Sequence, residues 1–257
     1  MSFLQAAGYN LEYEWLGPSP ADSPTIIFLH EGLGCVQLWR DFPRQLVERT
    51  GFGALVYSRS GYGNSDPVKL PRSTRFMHDE AIIMLPQIIE QLQIRDAVLF
   101  GHSDGGSISL IYAGAIKRKV RALVLEAPHV FVEEFGLQSI RKARVDYEQS
   151  DLRLKLQRYH GKNVDCAFRG WNDVWLNPDF LNWNIEEYLP QIEVPVLVLQ
   201  GDDDQYGTWQ QVERIEIGCS GPVESVLIEN CGHSPHREQK QVTLDLTVAF
   251  LKDAIGR

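Results

Sequence analysis

The sequence predicts an α/β domain: a mostly parallel sheet with helices on both faces and one helical segment inserted between two strands. Three observations carry this. Short, wholly apolar runs alternate with amphipathic stretches along the 257 residues, as when strands are buried on both faces by crossover helices. Most of these runs end in glycine-rich or polar loops, where ligands collect in an open parallel sheet. One stretch, residues 130–189, is helical in pattern, rich in charge and tryptophan, and has no strand-like run. It is far too long for an ordinary connection of about 4–6 residues. The expected division is therefore a core of residues 1–129 and 190–257, with 130–189 as a cap.

Asn10 to Leu16 alternates apolar and polar residues, so an antiparallel or edge strand is expected there. Thr25-Ile26-Ile27-Phe28-Leu29 and Ala54-Leu55-Val56-Tyr57-Ser58 read as buried strands. Between them, Trp39 to Arg49 has a helical pattern, and Gly51 suits its C-terminal cap. Ser73 to Leu92 predicts one long helix, kinked at Pro86 by a lost hydrogen bond. Strands are expected at Ala97–Phe100, Val120–Leu125, Val194–Leu199 and Glu224–Ile228. Helices are expected at Ser107–Ala115, Thr208–Ile217 and Gln241–Ile255.

Composition excludes several classes of function. Hydrophobic residues at 44% and charged residues at 23% are ordinary for a globular protein. A net charge of −9 argues against nucleic acid or an anionic membrane as partner. No stretch approaches the roughly 20 apolar residues of a membrane span, and the start of the chain lacks the pattern of a secretory signal. Cys35, Cys166, Cys219 and Cys231 are scattered without a C-x-x-C pair. They read as reduced thiols in a cytoplasmic protein, with neither a disulfide framework nor a zinc site. The expected partner is a small molecule; oligomeric state is not legible.

The chemistry centres on Gly101-His102-Ser103-Asp104-Gly105. Strand, G-x-S-x-G and helix together form the setting in which a serine is held on a strained turn as a nucleophile. A serine hydroxyl needs a base to take its proton. Imidazole titrates near neutrality and suits that task, and a buried carboxylate fixes its tautomer and stabilises the imidazolium. Asp204 and His233 follow later strands, so both belong at the same sheet edge as Ser103. His236 competes with His233, and Glu126, ending the preceding strand, competes with Asp204 for the acid. The developing oxyanion needs backbone N–H donors. The residue after the nucleophile, Asp104, offers one; the loop after His30 offers the other, at Gly32 or, failing that, Leu33.

Taken together, His30-Glu31-Gly32, the Gly101–Gly105 elbow, Gly201–Asp204 and Gly232-His233 resemble the α/β-hydrolase superfamily over essentially the whole chain. The resemblance implies an eight-stranded α/β-hydrolase fold and a cofactor-free hydrolase without a metal. Ser103 would be its nucleophile, His233 its base and then acid, and Asp204 the group that orients the histidine. A small ester, thioester or lactone is the expected substrate. Carbon–carbon bond hydrolysis of the meta-cleavage-product type and a non-catalytic ligand receptor are the alternatives. Two residues depart from the family pattern. Glu31 stands where glycine is usual, and Asp104 where an apolar residue is common. The Ser-Asp-Gly-Gly run resembles the biphenyl-hydrolase-like group that cleaves amino-acid esters, which implies that Asp104, with Glu31 nearby, receives a cationic substrate group. Trp171 and Trp175 are candidates to line the pocket. His30 is expected to organise its loop, His102 to pack beside the elbow, and His160 to lie on a solvated helix face.

Overall fold

A computed structural model describes residues 2–116 and 120–256. Eight strands form one sheet in the order β1-β2-β4-β3-β5-β6-β7-β8. Strands β1 (Ser2–Ala6) and β2 (Tyr9–Leu16) pair antiparallel, and β2 runs antiparallel to β4 (Gly53–Tyr57). From β4 onward through β3 (Thr25–Leu29), β5 (Ala97–His102), β6 (Val120–Glu126), β7 (Val196–Gly201) and β8 (Val223–Ile228), all pairs are parallel. Strand β1 was not expected from the sequence. It is an outer strand with only Leu4 and Ala6 buried, and a tight turn at Ala7 (φ 47°) and Gly8 (φ 85°) folds it onto β2.

The strand residues sort by parity into two cores. Ile26, Phe28, Val56, Val98, Phe100, Val124 and Leu199 face Trp39, Phe42 and Leu251. The alternate residues Ile27, Leu29, Leu55, Leu99, Leu123 and Val198 face the other layer. This period-2 division of wholly apolar strands is what a sheet covered on both faces requires.

Helix α1 (Phe42–Thr50) follows a separate 3-10 turn at Val36–Trp39, with Pro43 in its first turn. It ends at Gly51 in the left-handed region (φ 72°), whose N–H donates to Val47 O. The helix expected over Ser73–Leu92 is shorter and irregular. It consists of α2 (Phe76–Asp79), a π turn at Glu80–Met84 and α3 (Leu85–Gln91). The wide turn takes the place of the expected kink: Pro86 would otherwise meet the carbonyl four residues back. Helix α4 (Asp104–Ala115) starts directly from β5.

Between β6 and β7 lie α5 (Glu134–Gln149), α6 (Leu152–His160) and α7 (Val164–Trp175), with 3-10 turns at Pro178–Phe180 and Glu186–Gln191. Helices α8 (Gln210–Gly218), α9 (Pro235–Glu238) and α10 (Lys240–Ile255) complete the chain. His160 is not on a solvated face. It is 1% exposed; its Nδ1 accepts from Gly63 N at 3.0 Å, and its Nε2 lies 2.9 Å from Leu33 O. The ring thus ties α6 to the loops after β3 and β4, a long-range contact that local helical pattern cannot reveal. The four cysteines are free. Among the described residues no helix is long and apolar enough to cross a membrane.

Candidate active site

Ser103 sits between β5 and α4 with φ 52° and ψ −116°, a conformation rare for a side-chain-bearing residue. Its N–H donates to Glu126 O at 2.8 Å, and Gly106 N and Ser107 N donate to its carbonyl. Those bonds hold the turn. Gly105 is required by close approach, because a Cβ there would run into the carbonyl oxygen of Leu29.

Asp204 lies beyond β7 and is 7% exposed. Its Oδ1 accepts from Tyr206 N at 2.8 Å and Gly207 N at 3.3 Å; its Oδ2 accepts from Gln200 Nε2 at 2.6 Å. His233 Nδ1 lies 2.9 Å from both oxygens. Burial works against the charge, but His233 and the donated N–H bonds hold this carboxyl down at about 2. His233 follows a left-handed turn at Asn230 (φ 53°), and Glu238 clamps its loop by accepting from Gly232 N at 2.8 Å and Ser234 N at 3.0 Å. The competing pair is separate: His236 Nδ1 lies 2.6 Å from Glu126 Oε2, with both residues buried. Of the two carboxylate–imidazole pairs, Asp204–His233 opens onto the cavity that Ser103 lines, through His233.

The loop after β3 is organised by two groups. His30 Nε2 accepts from Arg59 N at 3.0 Å, which leaves Nδ1–H to donate to Glu31 O at 2.7 Å. The fully buried Arg59 guanidinium donates to His30 O at 3.0 Å and Glu31 O at 2.8 Å. These bonds turn both carbonyls toward Arg59. The backbone N–H groups of Gly32, Leu33 and Asp104 find no acceptor among the described residues. A Cβ on Gly32 would collide with the indole of Trp171, so the inserted segment rests directly on this loop.

The side chain of Asp104 does not reach the cavity, which corrects the expectation that it receives a substrate group. It is completely buried. Oδ1 accepts from Trp175 Nε1 at 3.1 Å, and Oδ2 lies 3.8 Å from Arg59. Burial pushes its carboxyl up, while the Arg59 charge and the Trp175 bond favour the carboxylate. Glu31 does line the cavity, but its carboxylate lies 3.4 Å from His102 Nδ1. The other nitrogen of His102 lies 2.7 Å from His233 O. Burial alone would lower His102; the Glu31 and Glu126 carboxylates overcome it and raise the imidazole to about 9. Despite its own burial, Glu31 is held well below the usual carboxylate range by the same contact.

The cavity holds about 190 Å³. Both expected tryptophans, Trp171 and Trp175, line it, together with Leu137 and Ile140 of α5. The sequence reading missed those two apolar residues, along with His129 and Tyr206. Leu137 and Ile140 carry an i, i+3 signal for one helix face, but nothing in that spacing says the face covers a pocket. Three acids reach the wall, Glu31, Glu133 and Glu238, and no lysine or arginine does so among the described residues. Elsewhere, His102, Glu126 and His236 bring ligand-type atoms within 4.8 Å of one another. All three are buried; His102 Nε2 is taken by His233 O, and His236 Nδ1 and Glu126 Oε2 by each other.

With this geometry in place, the class of protein follows: the chain belongs to the α/β hydrolase fold family, whose profile matches residues 24–188. Among curated relatives, it is 30% identical over 124 residues to the sn-1-specific diacylglycerol lipase ABHD11 of Danio rerio, a match covering 48% of this chain and 37% of that protein. It is 26% identical over 252 residues to the bifunctional esterase/perhydrolase DCH of Acinetobacter calcoaceticus, covering 87% of this chain and 86% of the relative. Among solved structures, a carboxylesterase of Nitrososphaera gargenis has a TM-score of 0.79 at 19% identity, covering 99% of both chains. At that identity the likeness speaks for the fold alone.

Proposed function

We propose that this chain is a cofactor-independent serine hydrolase that cleaves a small carboxylic ester, thioester or lactone through an acyl-enzyme on Ser103. One observation carries the reading: His233, paired with Asp204, lines the same cavity as Ser103 in its strained turn. Esterase relatives support the same reaction class.

In this reading His233 Nε2 takes the Ser103 proton as Oγ bonds to the substrate carbonyl carbon. The oxyanion accepts from the N–H groups of Asp104 and Gly32. Losing one such donor typically costs on the order of 100-fold or more. The ester C–O bond then breaks, and His233 returns the proton to the leaving oxygen. Water attacks the acyl carbon, its proton passes to His233, and the acid departs as Ser103 is restored. Asp204 stays ionised throughout and holds Nδ1–H in place. Arg59 offsets the Asp104 charge behind the oxyanion, so the N–H of Asp104 serves there without its carboxylate opposing it. Residues 130–189 act as the cap that walls the cavity from water. The four free thiols support a reducing, cytoplasmic setting.

Carbon–carbon hydrolysis would use the same three residues. With Glu31 paired to His102, Glu133 and Glu238 remain on the wall; they disfavour an anionic acyl chain and so favour a neutral ester. The test is labelling by a fluorophosphonate, followed by turnover of an ester panel. Wild-type protein is expected to label and turn over, and Ser103→Ala to do neither. Undiminished turnover by Ser103→Ala would refute the assignment; an unlabelled, inactive wild type would favour the receptor reading.

A further inference from the structure

Among the described residues, His129 is the one imidazole on the cavity wall outside the pairs described above. It follows β6 after a left-handed turn at Ala127 (φ 46°), and Ser107 Oγ donates to its carbonyl at 2.6 Å. The ring is held edge-on to Trp175 at 5.3 Å between centroids and lies 5.8 Å from the ring of His233. A Cβ on Gly207 would come within 3.1 Å of its Cε1, so that side is closely packed too. The residue is only 5% exposed, yet its ring nitrogens make no hydrogen bond to any described residue. An unpartnered polar group facing a cavity is one that a ligand can satisfy.

Resting on the reading of this site as an ester hydrolase, we propose that His129 forms a hydrogen-bonding subsite for an uncharged oxygen function of the substrate. The substrates are esters that carry a hydroxyl or carbonyl group beside the scissile bond, rather than plain alkyl esters. Burial, together with the neighbouring His233, lowers the His129 imidazole to about 3, so at neutral pH it offers one N–H donor and one lone pair. A hydroxyl can pair with either one. An anionic group is opposed by Glu133 and Glu238 on the same wall, Glu31 being paired with His102. The apolar surfaces of Leu137, Ile140 and Trp171 take the hydrocarbon part.

A site built around a buried hydrogen-bonding group discriminates strongly against an analogue lacking its partner. The test uses two pairs in which a methyl group replaces a hydroxyl: the β-hydroxybutanoyl and isovaleryl esters of nitrophenol, and the hydroxypropyl and isobutyl esters of butanoic acid. Wild-type kcat/KM is expected to favour the hydroxyl member of at least one pair by about 10-fold or more. His129→Phe, which keeps an aromatic ring without polar atoms, should bring that ratio close to one, and His129→Gln should recover part of it. A purely structural role would lower both members together and leave the ratio unmoved. Ratios near one in both wild-type pairs, or a preference untouched in His129→Phe, overturn the proposal. Absence of turnover and labelling defeats the hydrolase reading instead. Binding of the same pairs to Ser103→Ala, measured by calorimetry, still decides the subsite in that case.

Discussion

Asp204 and Glu126 are two buried carboxylates at adjacent strand ends, each facing an imidazole. What separates them is the company each keeps. Asp204 accepts two backbone N–H groups and a glutamine amide besides His233, so its charge is well supported. Glu126 is packed behind the elbow against His236, away from the cavity. Asp204→Asn is accordingly expected to lower kcat by about 10⁴-fold, the size of loss seen when a triad acid becomes an amide. Glu126→Gln should cost far less. Steady-state kinetics on both variants decides between the two acids, and the reverse order of effects would transfer the role to Glu126.

At the scale of elements, the notable contact is α7 on the loop after β3. Trp171 covers Gly32 so closely that the glycine has no room for a side chain. Gly32→Ala should therefore displace the indole and lower kcat/KM by about 10-fold or more. The same substitution made in a Trp171→Ala background should cost much less, with a coupling energy of about 1 kcal/mol or greater in the double-mutant cycle. Strictly additive costs would mean that the inserted helices do not bear on this loop. The π turn at Glu80–Met84 belongs to this scale as well: one proline reshaped a helix without ending it.

For the molecule as a whole, buried histidines set the response to pH. His102, raised from its ordinary 6.5 to about 9, contributes stability that is complete below 6.5 and is lost as pH rises through about 9. His129 is lowered to about 3, so the unfolded chain takes up its proton first as pH falls below 6.5, and stability drops from there toward 3. Asp204 adds to the acid side from about 3.8, where the unfolded carboxyl takes up its proton, down to about 2. Stability from denaturant titrations is expected to peak near pH 6.5. The alkaline arm should flatten in His102→Gln and the acid arm should weaken in His129→Phe. Equal stability at pH 6.5 and 9 in the wild type would remove the role given to His102.

Patterning along the chain was enough to locate most of the sheet. Runs such as Thr25–Leu29 and Ala97–Phe100 are apolar on both faces, and only a two-sided core accommodates that. The positions of Ser103, Asp204 and His233 at strand ends were legible for the same reason, since a parallel sheet brings its carboxyl ends to one edge. Strand β1 was not legible, because it is short and mostly exposed and exists by pairing with β2. Side-chain direction was beyond reach too. Asp104 follows the serine in sequence, yet Arg59 and Trp175, from distant segments, draw its carboxylate away from the cavity. His129 was only the last residue of the expected core until the fold placed it beside His233. Sequence alone determined the layered α/β plan and the strand ends that carry the chemistry, because those follow from local period and burial. Which polar groups pair, and which face the cavity, was decided by tertiary packing, because each depends on neighbours far away along the chain.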